Sequence, residues 1–431
     1  MVKENSFDWK NPWNLHKHKH KHIFVKFFIS ILLMGLAFRL LFSQSANFSP
    51  VSETPFVEKP SDGNTHLLDE ALRLDDQATQ NGKCDLFTGE WIPNPLGPIY
   101  TNESCHVVEE QQNCMKNGRP DSGYLYWRWK PHGCELPLFD SERFLEAMRN
   151  KSFAFIGDSI SRNHVQSLLC ILSKVEEGVE VYHDKEYKSR RWIFPSYNFT
   201  LSVLWSPFLV KAVISEDING VSTSEVQVYL DKLDEKWADQ FHSIDYSIIS
   251  GGKWFLKSSM YWENNKIIGC HYCPGKNVTE TGYEHSYRRA LRLMLNYVAT
   301  SNHKGLTFFR PSTPDHFENG EWFSGGTCKR SVPYKEGEIS LDSVDEMLRK
   351  IELEEFKKAV AIALEKGVNL KLLDTKHLSL LRPDGHPGPY RQFHPFAEDK
   401  NERVQNDCLH WCLPGPIDNW NDLVMEMVFN G

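Results

Sequence analysis

The sequence predicts an α/β protein in which a Rossmann-type sheet, flanked by helices, follows a smaller cysteine-rich lobe and an N-terminal transmembrane helix. Three observations support this architecture. From about residue 138 onward, short apolar runs alternate with stretches of helical period. Residues 84–137 are rich in Cys, Gly, Pro and Trp and show few helical periods. Residues 23–42 form one hydrophobic run.

The hydrophobic run is long enough to cross a bilayer, because 20 residues of helix at about 1.5 Å each span roughly 30 Å. Its only charges, Lys26 and Arg39, lie near its ends, where long side chains reach the membrane interface. Lysines precede the run and acidic residues follow it, which favours a cytoplasmic N-terminus. A cleaved signal peptide is the alternative, because Ser43, Ser45 and Ala46 are small residues near a cleavage position.

These patterns divide the chain into five regions. They are a cytoplasmic tail (1–22), a signal anchor (23–43), a flexible stem rich in Ser, Pro and acidic residues (44–82), a Cys/Trp-rich lobe (83–137) and the main domain (138–431).

The cysteines indicate an oxidising compartment for everything after the anchor. All ten lie between Cys84 and Cys412, and an even number in a lumenal body predicts about five disulfides. The same region carries N-glycosylation sequons, which begin at Asn102, Asn150, Asn198 and Asn277. We therefore expect a disulfide-bonded glycoprotein.

The charge is unevenly distributed and restricts the choice of partner. The formal net charge is −8, and residues 1–43 carry +5, which leaves −13 for the remainder. An acidic body repels polyanions, so nucleic acid is a poor partner and we expect none, and a neutral glycan is favoured over an acidic pectin.

The main domain begins with a predicted buried strand at residues 151–156, a turn, and a helix at 160–173. Further strands are predicted at 199–210, 244–250, 306–309 and 370–373, and further helices at 282–300, 342–366 and 417–428. This alternation predicts a mainly parallel sheet with helices on both faces.

The turn after the first strand holds the first candidate for catalysis, Gly157-Asp158-Ser159. A serine between a strand and a helix lies at the carboxyl edge of the sheet, where the helix N-terminus offers N–H groups to an oxyanion. The alternative is structural, since Asp and Ser are also common helix N-caps.

The second candidate is Asp407-Cys-Leu-His410, shortly before the last predicted helix. A serine nucleophile needs an imidazole base, and the base needs a carboxylate to hold its tautomer. Asp407 and His410 are three residues apart and can face each other, and Cys408 and Cys412 can stiffen the loop. The two motifs together predict a Ser–His–Asp triad.

The order and spacing of these motifs resemble SGNH/GDSL-type esterases, and the wider sequence resembles the plant trichome birefringence-like family of polysaccharide O-acetyltransferases. The resemblance covers roughly residues 83–430. It is carried by Lys83-Cys-Asp-Leu-Phe-Thr-Gly-Glu-Trp91, Asn113-Cys-Met-Lys-Asn-Gly-Arg-Pro-Asp121, Tyr126-Trp-Arg-Trp129, Gly157-Asp-Ser159, His316-Phe-Glu-Asn-Gly320, Gly325-Gly-Thr-Cys328 and Asp407-Cys-Leu-His-Trp-Cys-Leu-Pro-Gly415.

The resemblance implies an SGNH/GDSL-like fold with Ser159 as a transiently acetylated nucleophile, His410 as the base and Asp407 as its partner. It also implies four disulfides, Cys84–Cys134, Cys105–Cys170, Cys114–Cys412 and Cys328–Cys408. Cys270 and Cys273 remain; their spacing also suits half a zinc site, but the lumenal setting favours a disulfide. We expect no metal.

The chain departs from SGNH hydrolases at the oxyanion hole, because the comparable strand end, Ser250-Gly-Gly252, lacks an Asn. The candidates for the hole and cleft are the Ser159 N–H, Arg162, Asn163, Asn198, Gly252 and His386. At Asn198, glycosylation and catalysis are alternatives. We expect His386 to line the cleft or to support the triad from behind.

The resemblance implies a Golgi enzyme, a single-pass type II membrane protein with a lumenal catalytic domain. Within the family, the sequence is most similar to members that acetylate xyloglucan side-chain galactose, and next to members that act on glucomannan. The resemblance implies no bound cofactor and an acetyl donor, acetyl-CoA or a derivative, as co-substrate. The Golgi membrane and other acetylation or glycan-synthesis proteins are the expected partners. A polysaccharide acetylesterase and a non-catalytic glycan-binding protein are the alternatives.

Overall fold

The computed structural model describes residues 84–215 and 224–430. The predicted tail, transmembrane anchor and stem lie outside these residues, so the structure does not bear on them. Within the two described ranges, no helix is both long enough and apolar enough to cross a bilayer.

The strands of the described residues are β1 (Gly89–Pro93), β2 (Trp127–Pro131), β3 (Ser152–Gly157), β4 (Val179–His183), β5 (Arg190–Phe194), β6 (Phe199–Trp205), β7 (Val210–Val213), β8 (Val226–Leu233), β9 (Tyr246–Ser250), β10 (Ser259–Glu263), β11 (Lys266–His271), β12 (Leu306–Arg310) and β13 (Asn369–Leu372). The α-helices are α1 (Ser141–Ala147), α2 (Ser159–Leu172), α3 (Glu235–Ala238), α4 (Gly282–Thr300), α5 (Ser343–Lys366), α6 (Lys376–Leu380) and α7 (Asp418–Asn430).

The main sheet has the strand order β13-β12-β9-β3-β6-β5-β4. Strands β13, β12, β9, β3 and β6 run parallel, so their carboxyl ends lie along one edge. An antiparallel hairpin, β4–β5, extends the sheet beside β6. The sheet is therefore mixed, and its parallel part confirms the predicted α/β architecture.

Residues 199–210, predicted as one strand, form two strands in different sheets. Strand β6 ends at Trp205, and the chain turns at Ser206, whose carbonyl accepts the N–H of Leu209 at 3.0 Å. Leu209 has a φ of 62°. Strand β7 then joins a second sheet of order β11-β10-β8-β7. The single-strand prediction was wrong because apolar residues continue through the turn, which hides the break.

Apolar side chains alternate across the central strand β3 and fill a core on each face of the sheet. Phe153 and Phe155 belong to the cluster that includes residues of α1, α2 and α7. Ala154 and Ile156 belong to the cluster that includes residues of α4 and α5. The helices thus cover both faces of the sheet. Packing against β3 holds α2, which begins just after the carboxyl end of that strand.

The cysteine-rich lobe packs on the main domain through buried aromatic residues. Strands β1 and β2 pair in antiparallel order and bring Trp91 within 5.8 Å of Trp129 between ring centroids. The indole N–H of Trp91 donates to the carbonyl of Leu378, and the backbone N–H of Trp129 donates to Asn419 Oδ1. Trp91 and Trp129 are both buried and belong to the hydrophobic core.

Candidate active site

Ser159 stands at the first helical position of α2, directly after the carboxyl end of β3. Gly157 makes the turn with a φ of 153°, and a Cβ there would lie 2.1 Å from the Ser250 carbonyl oxygen. Asp158 is the N-cap, and its Oδ1 accepts the N–H of Ile160 at 3.0 Å. Because Asp158 caps the helix, the Ser159 hydroxyl is not used for capping, and it makes no hydrogen bond within the described residues.

Asp407 and His410 face each other in the loop before α7. His410 Nδ1 lies 2.8 Å from Asp407 Oδ2, while Asp407 Oδ1 accepts the N–H groups of Leu409 and His410 at 3.1 and 2.9 Å. The Asp407 side chain is 1 % exposed and the His410 side chain 18 %. The carboxylate is thus held by three contacts, and the imidazole keeps a route to solvent.

The electrostatics of this pair suit a base and its orienting carboxylate. Burial opposes charge on both groups, but their mutual attraction and hydrogen bonds lower the pKa of Asp407 and raise that of His410. The nearby Asp158 carboxylate adds to the rise in the His410 pKa, while Arg391 opposes it. An ionised Asp407 stabilises the imidazolium that a proton transfer creates.

Asn163 connects the nucleophile helix to the histidine loop. Its Oδ1 accepts the N–H of Trp411 at 2.7 Å, and its Nδ2 donates to the Trp411 carbonyl at 3.2 Å. Asn163 is one turn beyond Ser159, and Trp411 follows His410. The structure therefore brings both candidate motifs to one edge of the sheet, although no hydrogen bond joins Ser159 to His410. Such bonds are commonly long before substrate binds.

Two disulfides hold the Asp407–His410 loop. The structure forms Cys84–Cys134, Cys105–Cys170, Cys114–Cys412, Cys270–Cys273 and Cys328–Cys408, the pairs that the resemblance and the leftover cysteines suggested. Cys408 follows Asp407 directly, and Cys412 lies two residues beyond His410. The loop is thus tied both to the segment around residue 328 and to the N-terminal lobe.

The candidates for the oxyanion hole have different surroundings. Arg162 lies three residues after Ser159 on α2 and donates from Nη2 to Glu109 Oε1 at 2.6 Å. Its other guanidinium N–H groups make no hydrogen bond within the described residues, so it remains a candidate donor. Both amide atoms of Asn163 are used by Trp411, which makes that residue a link rather than an oxyanion donor.

Asn198 is not brought to the triad. It directly precedes β6, whose first residues pair with the start of β3, so it lies at the amino edge of the sheet, opposite Ser159. It is exposed, and its Nδ2 donates to Asn150 Oδ1 at 3.0 Å. The oxyanion alternative for Asn198 is therefore excluded by topology. Its glycosylation, like that of Asn102, Asn150 and Asn277, stays a prediction.

Gly252 lies after the carboxyl end of β9, on the same edge as Ser159. Its φ is 143°, and a Cβ there would lie 2.8 Å from the Ser312 Cβ. It precedes the short 3-10 helix Lys253–Leu256. Gly252 thus permits a tight packing of the loop against Ser312, which is a structural requirement.

His386 is buried behind the triad and does not line an open cleft. Its Nδ1 contacts the carbonyl oxygen of His410 at 2.7 Å, and its ring stacks on Trp411 at 4.3 Å between centroids. Its Nε2 contacts Nδ1 of His316 at 2.7 Å. The role of His316 could not be predicted from the sequence, because the spacing of residues 316 and 386 gives no sign that they meet.

One group of potential metal ligands occurs within the described residues. Ligand atoms of Cys270, Cys273 and Glu280 lie within 4.8 Å of one another. The two cysteines are joined as a disulfide, so their thiolates are not available to a metal. The arrangement therefore supports the disulfide alternative over half a zinc site.

Comparison with known proteins matches most of the chain to two family models. Residues 136–427 match the PC-Esterase model, described as the GDSL/SGNH-like acyl-esterase family found in Pmr5 and Cas1p, and residues 82–135 match the PMR5 N-terminal domain. Among similar proteins, trichome birefringence-like 25 of Arabidopsis thaliana is 56% identical, over 96% of this chain and 94% of its own length. Xyloglucan O-acetyltransferase 1 of Populus trichocarpa is 42% identical, over 97% of this chain and 92% of its own length. Xyloglucan O-acetyltransferase 1 of Arabidopsis thaliana is 43% identical, over 96% of this chain and 96% of its own length.

Proposed function

Because the chain belongs to the trichome birefringence-like family and carries a GDSL/SGNH-like acyl-esterase domain, we propose that it is an O-acetyltransferase whose acceptor is a hemicellulose. The acceptor that we propose is xyloglucan, since two relatives that match nearly the whole chain are named xyloglucan O-acetyltransferase 1. The galactose of its side chains is the position that the resemblance of the sequence to xyloglucan-acting members implies. Glucomannan is the alternative acceptor.

A single observation carries the proposal. The free hydroxyl at the N-terminus of α2 and the Asp407–His410 pair lie at one edge of the sheet, and Asn163 joins the two elements. A hydroxyl, an imidazole and a buried carboxylate are the groups that acyl transfer requires.

In the first half-reaction, Ser159 Oγ attacks the carbonyl carbon of the acetyl donor while His410 Nε2 takes the hydroxyl proton. The tetrahedral intermediate places its negative oxygen at the N-terminus of α2, where backbone N–H groups and the Arg162 guanidinium can stabilise it. The bond to the leaving group then breaks, the leaving group takes the proton from His410, and acetyl-Ser159 remains.

In the second half-reaction, a sugar hydroxyl attacks the acetyl carbon of acetyl-Ser159 and gives its proton to His410. The intermediate collapses by breaking the bond to Ser159 Oγ, which recovers that proton from His410. The products are the sugar acetate and free enzyme. Transfer to water instead would give an acetylesterase, which the same triad performs.

An exposed aromatic surface next to the histidine loop favours a carbohydrate acceptor. Phe323 is 86 % exposed and follows Trp322, whose ring lies 4.5 Å from the Arg391 guanidinium carbon. Arg391 is near enough to His410 to oppose the rise in its pKa. Aromatic faces beside a reactive group suit the apolar faces of sugar rings.

The location and the donor are further parts of the proposal. We propose a Golgi membrane protein with a lumenal catalytic domain, on the basis of the hydrophobic run at residues 23–42, which lies outside the described residues, and the oxidised cysteines. The proposed donor is acetyl-CoA or an acetyl compound derived from it, used as a co-substrate without a bound cofactor.

The decisive experiment incubates the purified full-length chain with an acetyl donor and deacetylated oligomers of xyloglucan, glucomannan and xylan. Mass spectrometry of the products then identifies the acceptor, and we expect an acetyl gain on xyloglucan. Ser159→Ala is the matched control and should form neither acetyl-enzyme nor product. Acetyl release to water without transfer to any oligomer would favour the esterase, and full activity of Ser159→Ala would remove the proposed nucleophile.

A further inference from the structure

A buried pair of histidines supports the catalytic loop from behind. His316 and His386 are 8 % and 4 % exposed. Their rings make three contacts in a row. His316 Nε2 lies 2.8 Å from the Leu380 carbonyl oxygen, His316 Nδ1 lies 2.7 Å from His386 Nε2, and His386 Nδ1 lies 2.7 Å from the His410 carbonyl oxygen.

The number of protons on this pair follows from its partners. A carbonyl oxygen only accepts, so both outer ring nitrogens must carry a hydrogen to bond Leu380 and His410. The inner contact between two nitrogens also needs one hydrogen. Three hydrogens on four ring nitrogens make one imidazole and one imidazolium, whereas two neutral rings carry only two.

A neutral pair would leave one of the three contacts as two lone pairs facing each other at 2.7 or 2.8 Å. Burial lowers the pKa of both histidines and so favours that neutral state. The three hydrogen bonds favour the charged state instead, because only the charged pair can complete all three. A buried polar group without its hydrogen bond is costly in free energy.

The charged neighbours of the pair belong to several segments. Asp315, Asp345 and Asp384 favour a proton on His316, and Asp407 favours one on His386. Arg119 opposes a charge on His386, and its Nη1 donates to the His386 carbonyl at 2.9 Å. Each of these carboxylates already has a basic partner: Lys253 pairs with Asp315 and Asp345, Arg382 with Asp384, and His410 with Asp407. The shared positive charge therefore rests on the three hydrogen bonds of the pair and not on an excess of carboxylates.

We propose that His316 and His386 share a proton as a buried cationic pair and act as positioning residues for His410. The pair fixes the His410 carbonyl, so the backbone from which the catalytic imidazole extends cannot rotate. Its charge also counters Asp407, which keeps the His410 imidazole from holding its proton too strongly to release it. This inference rests on the proposed role of His410 as base.

The first test counts ring protons and does not depend on activity. The full-length chain, labelled with ¹⁵N in its histidine side chains, is studied by proton–nitrogen NMR at neutral pH. We expect three imidazole N–H protons from this pair that are protected from exchange, assigned by the loss of each ring's signals in His316→Gln and in His386→Asn. Finding only two from the pair would overturn the shared charge.

The second test separates positioning from simple packing. In His386→Asn, the amide can still donate to the His410 carbonyl, whereas His386→Leu cannot. With 4-nitrophenyl acetate as the acetyl donor, we expect His386→Leu to lose about 10- to 100-fold in kcat with little change in KM, a loss of the size seen when a group that orients a metal-bound histidine is removed. His386→Asn should recover most of that loss. Equal losses in both variants would overturn the positioning role.

The third test uses the pH dependence of kcat/KM to detect the positive charge of the histidine pair. Replacing His316 by Gln removes the proton that the pair shares, so the pKa of His410 should rise and the acid limb of kcat/KM should move to higher pH. An unchanged acid limb would overturn the cationic pair. His303→Asn is the control, because His303 is buried at the amino edge of the sheet, beside Gly305, and should leave the acid limb and kcat unaltered.

If Ser159→Ala remained active, the proposed function would fail while the NMR count could still succeed. If only two ring protons were found in an active enzyme, the inference would fail while the proposed function stood. The two proposals are therefore tested separately.

Discussion

At the residue scale, the sequence could identify Gly157-Asp158-Ser159 but could not assign the capping role. Asp158 and Ser159 are both good N-caps, and a helix that begins one residue earlier or later is capped by a different one of the two. In the structure Asp158 caps α2 and leaves Ser159 free. The spacing of Asp407 and His410 was sufficient to predict their contact, because both lie in one short loop.

Contacts between distant residues were beyond sequence reasoning. Asn163 was proposed for the cleft, but its amide is used by Trp411, 248 residues away. His386 meets His316 across 70 residues. Neither pair has a local pattern, since the meeting depends on how whole loops cross the edge of the sheet.

Replacing Asp407 by Asn should change both the rate and the pH dependence of acetyl-enzyme formation. The attraction to Asp407 raises the pKa of His410, which must be unprotonated to act as a base. A neutral Asn removes that attraction, so the acid limb of kcat/KM should move to lower pH. The kcat should fall on the order of 10⁴-fold, as in other triads.

The measurement is a pH series with 4-nitrophenyl acetate between about pH 5 and pH 9. Asp399→Asn, an exposed carboxylate in the same long loop, is the control and should behave like the unmodified chain. An acid limb that stays in place in Asp407→Asn would contradict the assigned cause of the raised His410 pKa.

At the element scale, the parallel strands and the long helices were predicted, and the second sheet was missed. Strand β3, helix α4 and helix α5 have clear periods or apolar runs, and the structure contains each of them. Strand β8 alternates buried and half-buried residues, a signal that could have been used. Strands β10 and β11 are short; β10 mixes Tyr, Trp and Glu, β11 mixes Lys, Ile, Gly, Cys and His, and neither shows a clear period.

Helix α7 carries a carboxyl group that makes stability depend on pH. Burial raises the pKa of Asp422 to about 8, although its Oδ1 accepts the N–H of Phe139. The folded state therefore retains a proton that the unfolded chain releases above about pH 4. The free energy of unfolding should decrease as the pH rises from about 4 to about 8.

Asp422→Asn should remove this loss, because the amide oxygen can still accept from Phe139 and carries no charge. We expect the free energy of unfolding to increase by roughly 5 kcal/mol at pH 8 and very little near pH 4. Urea unfolding at both pH values measures the difference. Glu365→Gln, an exposed position near the end of α5, should change neither value, and an equal gain at both pH values would contradict the cause.

At the scale of the whole molecule, the disulfides serve two purposes that one matched comparison can separate. Cys328–Cys408 and Cys84–Cys134 close loops of 80 and 50 residues. Loop entropy gives each about 4 kcal/mol, and the two differ by only about 0.4 kcal/mol. Only Cys328–Cys408 adjoins the proposed triad, because Cys408 follows Asp407.

Replacing either cysteine pair by serines should therefore cost similar stability. The Cys328/Cys408 double variant should in addition lose at least about 10-fold in kcat, since the loop that carries Asp407 and His410 becomes mobile. The Cys84/Cys134 double variant should keep its kcat. Both rates are measured well below the unfolding transitions, and equal losses of kcat would show that the bridge beside Asp407 only stabilises the fold.

The Cys114–Cys412 bridge joins residues 298 positions apart, and Ser159 and His410 are separated by most of that interval. During synthesis, Cys114 and Ser159 are made long before Cys412 and His410 exist. Cys114 must stay unpaired, or pair wrongly for a time, until the segment around residue 412 arrives. A nascent chain therefore carries a serine without a base, and acetyl chemistry begins only when translation is nearly finished.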